Sequence, residues 1–437
     1  MSTLLGLLML AAPSALYDHA FRLERPAEVV AVVRASCTGC DWGVPGREAA
    51  VLALSLDGVV QQHVLLTQGA SGEYRLLLGP LPAGEHRLAL ALDRRRSARG
   101  AFDARVDGVA VEAVAEGDAE YEALAHAPIL HTRKHTLARF SDVPLVAWVE
   151  SYPAPDAGRE LRYSIVFSHE DGGTPLDRLM ATWGRATDIE LVYAVQLEAD
   201  GRVRAATFQG KDHLTTRFAG RYEARHPVLH VVTENNMVKD SGPGTPRVAL
   251  APRLFPLEGV SREAVMDASP WTYRVSGQEV RREGRIAPRA RAGSKRIPDP
   301  RRFAYLEACG SVADARLAFD AGLEDASGKL VWYASDAGRA AFRIARGGCF
   351  RAAVALPEDK SVADVRALRL RAHTRPPRRG EKPLAPGSGH ARVERVNRLF
   401  GLDADDRPGP SVFSWGEGAE LRPDGAPLEL RVQSHAR

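Results

Sequence analysis

The chain has 437 residues, with 59 Lys and Arg against 55 Asp and Glu and a formal net charge of +4. That length exceeds one ordinary core and calls for two or three domains. The near balance of charge, without a P-loop, zinc-finger or RNP-like pattern, argues against a nucleic-acid partner, and an apolar content of 45% argues against wholesale disorder.

Residues 4–12 form an apolar run that leads into Ala12-Pro13-Ser14-Ala15. Its length suits the core of a signal peptide and is too short to span a bilayer. Residues 1–16 are therefore expected to be a leader, and the protein to be secreted or periplasmic. No Lys or Arg precedes the run, so a first buried element of a cytoplasmic protein is the alternative. No later segment approaches a membrane span. Residues 26–114 carry short apolar runs at 29–33, 50–56, 63–66, 74–78 and 86–92, punctuated by Asp57-Gly58, Gly69 with Gly72, and Pro82-Ala83-Gly84. Such spacing predicts a small β-sandwich. The stretch Leu81-Pro82-Ala83-Gly84-Glu85-His86-Arg87-Leu88 resembles the turn-then-strand signature of immunoglobulin-like and fibronectin-like accessory domains.

Cys37-Thr38-Gly39-Cys40 has no second pair close by for a zinc site, and loop residues follow it where a thioredoxin-like motif would start a helix. Two structural disulfides are expected, Cys37–Cys40 and Cys309–Cys349. Reduced buried thiols are the alternative in a cytosolic setting.

The central part, residues 139–288, holds the densest pattern. Leu161, Tyr163, Ile165 and Phe167 alternate with Arg162, Ser164 and Ser168, the period of a half-buried strand. It runs into His169-Glu170-Asp171-Gly172-Gly173, a tight turn. Thr174-Pro175-Leu176-Asp177 then opens a helix, with threonine as N-cap and proline at the first helical position. Leu176, Leu179, Met180 and Trp183 form its buried stripe, and Gly184 stops it. In the next strand Ile189, Leu191, Tyr193, Val195 and Leu197 are expected on one face, and Asp188, Glu190 and Gln196 on the other. Strands at 203–208 and 227–233 and a short helix near 261–268 follow, and the basic segment 281–302 reads as a linker. Residues 303–437 return to β signals. The fold class expected is mainly β: multi-domain β-sandwiches, the central one with a short packed helix.

Asp188 and Glu190 lie two apart on one strand face, with Cα atoms roughly 6.5–7 Å apart. Two carboxylates so placed suit a hard cation, Ca²⁺ or Mg²⁺, or divided acid and base roles. A simply wet strand face is the alternative. His169 ends a buried face, as a satisfied core residue or a ligand at the rim, and with Asp188 and Glu190 it forms the candidate catalytic set. His213 lies in a polar loop, His226 precedes Pro227, and His230 shares strand parity with Val228, Val232 and Glu234. Candidate binding residues are Arg185, His213, His226, Glu234 and Asn235. No G-x-S-x-G elbow, H-E-x-x-H pair or glycine-rich phosphate loop occurs.

Gly184-Arg185-Ala186-Thr187-Asp188-Ile189-Glu190, followed by His226-Pro227-Val228-Leu229-His230-Val231 and Glu234-Asn235-Asn236, resembles the necrosis- and ethylene-inducing-peptide-like proteins and their vacuolar-protein-sorting relatives. In that family a Gly-His-Arg-His-Asp-Trp-Glu motif lines a metal-containing acidic cavity on a β-sandwich. The resemblance implies a similar role for Asp188 and Glu190. Arg185 and Thr187 replace both motif histidines and Ile189 replaces the tryptophan, so a metal would need other ligands, for which His169, Asp171 and His230 are candidates beside the two acids. The expected function is that of an exported surface protein binding an extracellular glycan or lipid through an acidic cavity. A hydrolase of extracellular polymers using Asp188 and Glu190, and a structural assembly protein without a site, are the alternatives.

Overall fold

The computed structural model describes residues 15–101, 103–244, 246–288, 295–423 and 425–432. It is 47% strand and 12% helix, a mainly β protein built of multi-domain sandwiches. The leader expected over 1–16 lies outside the described residues except for Ala15 and Leu16, which begin the strand Ala15–Leu23. Two compact units form: Met1–Phe140 with Gly220–His230 and Ser241–Ala251, and Ser141–Ala219 with Val231–Asp240 and Pro252–Arg437. Among the described residues no helix is long and apolar enough to cross a membrane.

The first unit has a four-stranded sheet, ordered Ala15–Leu23, Gly84–Leu92, Ala50–Leu56 and Val59–Leu66, and a three-stranded sheet with Ala27–Cys37 at its centre. Val29, Val30, Ala31 and Val33 of that central strand are wholly buried, which is why the sequence there is apolar without alternation. Cys37 and Cys40 are disulfide-bonded. Residues 228–230 return to this unit and run parallel to the strand Ile129–His131.

The second unit begins with a six-stranded sheet in the order Thr215–Arg217, Val203–Gln209, Asp188–Leu197, Arg159–Phe167, Pro144–Pro153 and Arg253–Leu254. Two further sheets face each other across a core that includes Leu306, Phe319, Phe350, Leu368 and Val393. One runs Gly348–Ala355, Phe303–Ala313, His390–Phe400 and Phe413–Trp415; the other runs Leu330–Ala334, Ala315–Glu324, Val365–Thr374 and Leu428–Arg431. Cys309 and Cys349 stand opposite each other on paired strands and are disulfide-bonded.

Segment 281–302 is not a simple linker. It starts in the last turn of a helix, Trp271–Arg282, and Arg281 pairs with Asp299 at 3.1 Å and with Asp406. Ile286 bridges to Ile297 across residues 289–294, which lie outside the described set.

The strand faces also differ from the simple alternation. Asp188 stands opposite Phe167, Glu190 opposite Ile165 and Leu191 opposite Ser164, but the next pair is Tyr193 with Tyr163. Val192 is thus an extra residue, a β-bulge, and it inverts the parity of everything beyond it. Directly opposed residues share a face. Asp188 and Glu190 therefore lie on the same side as Tyr163, Tyr193, Val195 and Leu161, all buried. Ile189 points to the opposite side, into a core with Trp148, Val166, Val265 and Met266. The expected split, with all the apolar residues on one face and the acids on the other, is overturned by one inserted residue.

The helix Leu176–Trp183 lays Leu176, Leu179 and Met180 against Phe303, Tyr305, Ala353 and Phe400. Pro175 takes the N-cap position, one residue later than the expected threonine, and Gly184 ends the helix in the left-handed conformation, φ 58°. A Cβ on Gly184 would stand 2.7 Å from Arg351 Cγ and 3.0 Å from the Ala352 nitrogen. Both the backbone and the close approach require glycine here. Gly184→Ala is expected to lose at least about 1–2 kcal/mol, the cost of a left-handed side-chain residue. Urea unfolding followed by far-UV circular dichroism checks this, and an unchanged midpoint contradicts it.

Candidate functional site

The turn after the strand Arg159–Phe167 is built to be overlaid. A Cβ on Gly172 would stand 2.4 Å from Glu234 Oε2, and one on Gly173 (φ 107°) would stand 2.8 Å from Asn235 Cβ. The Gly172 N–H donates to the Glu234 carbonyl at 3.1 Å. Glu234 and Asn235 are thus brought to the site as packing partners of this turn. The next residue, Asn236, reaches further in. It is fully buried, and its Nδ2 donates to the His169 carbonyl and to Asp188 Oδ2, each at 3.0 Å.

Beneath it lie three carboxyl groups. Glu170, Asp188 and Glu190 are 4%, 2% and 7% exposed, and they lie close enough for the Asp188 charge to act on the other two. Burial pushes all three pKa values up. Glu170 rises to about 8, with the Asp188 charge as second cause, and the same charge adds to the rise at Glu190. At Asp188 the Arg185 guanidinium and the Asn236 amide oppose the rise. Closely spaced buried acids titrate as a group.

Arg185 supplies the compensating charge. Only 5% exposed, it lies 3.8 Å from Asp188 Oδ1, and its Nε donates to Glu263 Oε1 at 3.1 Å. Burial alone would raise Glu263, but Arg185, Arg346 and Arg351 outweigh it and hold that carboxyl below its ordinary range. At the outer edge His213, on an exposed turn, brings Nδ1 to 3.8 Å from Glu190 Oε2.

His169 is a satisfied core residue. Its Nδ1–H donates to the Ala186 carbonyl at 2.7 Å, and its Nε2 accepts from Arg285 at 2.8 Å. Burial and then the Arg285 charge lower its pKa to about 4, so it is neutral and has no free nitrogen for a metal or a proton relay. Asp171 accepts from Ser141 Oγ at 3.0 Å and lies 3.9 Å from Arg285. His226 and His230 belong to the first unit. There His226 Nε2 lies 3.2 Å from Glu28 and its Nδ1 donates to the Ala127 carbonyl, while His230 stacks on His131 with ring centres 4.9 Å apart.

One chemical reading of the acids fails on this geometry. A divalent cation wants six or more oxygen ligands, whereas a guanidinium stands against Asp188, and among the described residues no group of three or more His, Cys, Asp or Glu is placed to hold a metal ion. The residues present do not fit Ca²⁺ or Mg²⁺. Asp188 and Glu190 are a buried pair of acids beside Arg185.

A second feature lies in the C-terminal sandwich. A groove of about 630 Å³ is lined by Phe413, Trp415, Glu417, Glu429, Arg431 and Asn397, among others. Its walls include Phe413–Trp415 and Leu428–Arg431, the last strands of the two facing sheets. Phe413 and Trp415 are half-buried, two residues apart on one strand. Glu429 accepts from Arg369 at 2.9 Å, and that guanidinium lies 3.8 Å from the centre of the Trp332 ring. The sequence reading missed these residues. The alternating Phe413-Ser414-Trp415 beside Pro/Gly punctuation was the available signal.

No protein family and no curated protein matches the chain. Among solved structures it is similar to the C-terminal domain of EclA, a sugar-binding protein, with TM-score 0.18 and 20% identity over 23% of this chain and 68% of that one. It is also similar to a cycloisomaltooligosaccharide glucanotransferase of Paenibacillus sp., with TM-score 0.18 and 10% identity over 53% of this chain and 39% of that one. Likenesses this faint carry no argument about function.

The buried acids make stability depend on pH. Between about 4.5 and 8 Glu170 is protonated when folded and ionised when unfolded, so stability falls as pH rises through that window. His169, lowered to about 4, acts in the opposite sense only below its ordinary 6.5. The melting temperature is therefore expected to fall from pH 6.5 to 8, and to fall less in Glu170→Gln. Calorimetric scans across that range check this; an equal slope in the variant contradicts it.

Proposed function

We propose that this is an exported glycan-binding protein whose ligand lies in the groove between Phe413–Trp415 and Leu428–Arg431. The observation that carries the reading is the combination of two aromatic rings on one edge strand with Glu417, Glu429 and Arg431 in the same 630 Å³ groove. Aromatic faces suit the apolar C–H faces of a sugar ring, while carboxylates and a guanidinium suit its hydroxyls. A lipid chain would be poorly served by so many charged groups. Two disulfides favour an oxidising compartment, consistent with export. The acids at Asp188 and Glu190 stand apart from binding in this reading, since they are sealed and neutralised by Arg185.

Electrophoresis through gels containing soluble polysaccharides tests the proposal. The wild-type chain is expected to be retarded by at least one of dextran, xylan and mixed-linkage β-glucan. Trp415→Ala is expected to weaken that retention about tenfold or more, the effect of losing a central aromatic anchor, in protein whose far-UV circular dichroism shows the β fold retained. Retention by none of the three, or retention unaffected by Trp415→Ala, overturns it.

A further inference from the structure

The second unit contains another cavity, of about 320 Å³, chemically unlike the groove. It lies between the helix Leu176–Trp183, the strand Gly348–Ala355 and the loop 334–342. Native interiors rarely leave voids larger than a water molecule, and an apolar cavity of about 150 Å³ already holds a benzene ring. Here the space is opened by small side chains, Ala181, Ala334, Ala353 and Ala355, and walled by Met180, Ile297, Phe303 and Phe342. Filling it from within would need only larger residues at those alanines.

One end is polar. Arg339 NH1 donates to Asp177 Oδ2 at 3.2 Å, and the guanidinium lies 4.2 Å from the centre of the Phe342 ring. The Arg339 side chain is 35% exposed and Asp177 only 6%, so the arginine forms the rim and the acid its anchor. Asp177 engages one of the five N–H donors of the guanidinium. Among the described residues no other side-chain hydrogen bond holds it, which leaves a fixed, partly open donor fork over an apolar chamber.

We propose that this cavity binds a small amphiphile, with an acyl or aromatic body in the chamber and a carboxylate on Arg339. A guanidinium only donates, and a carboxylate matches its fork with two parallel bonds. The anchor on Asp177 keeps the arginine placed when the ligand is absent. The site is independent of the glycan groove, sharing no lining residue with it.

Isothermal titration of the full chain with octanoate, octanol and octylamine tests this. Octanoate is expected to bind at least tenfold more tightly than octanol, with octylamine weakest. Arg339→Gln, at the half-exposed rim, is expected to erase the preference for octanoate over octanol while leaving octanol binding in place. Ala181→Leu is expected to abolish binding of all three; if that variant does not fold, the Arg339→Gln comparison decides. Binding by none of the three, equal or tighter binding of octanol or octylamine, or a preference that survives Arg339→Gln overturns the proposal.

Discussion

Acids removed from water must share protons or find a cation, and the centre of the second unit depends on both solutions at once. Asp188 accepts from Asn236, and burial raises the pKa of Asp188, Glu190 and Glu170 alike. Arg185 stands between this group and Glu263 and balances what charge remains. An unpaired buried ion costs several kcal/mol, and Arg185 spares Asp188 and Glu263 that cost. The turn at Gly172 and Gly173, the Asn236 amide and the strand Asp188–Leu197 are held in register around that balance.

The same solution recurs where helix meets sandwich. Arg351, wholly buried, donates to Asp267, Glu307 and the Tyr273 hydroxyl, and Glu307 also accepts from Ser261 and Asn397. Arg351 and Glu307 are directly opposed on paired strands, while Asp267 and Tyr273 come from the helices Ala264–Ala268 and Trp271–Arg282. A buried arginine with every acidic neighbour hydrogen-bonded fixes one arrangement of helices on the sheet. It is a constraint on geometry more than a source of net stability.

Apart from these sealed networks, the second unit holds a groove and a cavity whose chemistries divide cleanly. The groove at Trp415 offers rings beside ionised groups, a surface for a hydroxyl-rich ligand. The cavity at Phe342 offers apolar walls with one guanidinium at the rim, a place for an apolar body with an anionic end. Strands wall the groove, whereas a helix and a loop join a strand in lining the cavity.

Much was legible from residue order alone. The alternation at 161–167, the two-glycine turn, the amphipathic helix and its glycine stop all depend on local period and backbone preference, and they stand where expected. So do the disulfides Cys37–Cys40 and Cys309–Cys349, the second on neighbouring strands. The helix Trp271–Arg282 was hidden because Ser276, Gly277 and Glu279 are buried on it, so polarity misreports its inner face. What only the tertiary structure decided was the side on which the acids lie, since one unpaired residue at Val192 inverts a period-two pattern without leaving a mark in composition. It likewise decided that His226 and His230 serve the first unit, and that strands of two different sheets, near 414 and 430, wall one groove. Local sequence sets the shape of each segment, whereas burial, register and neighbours at long range determine what each side chain meets.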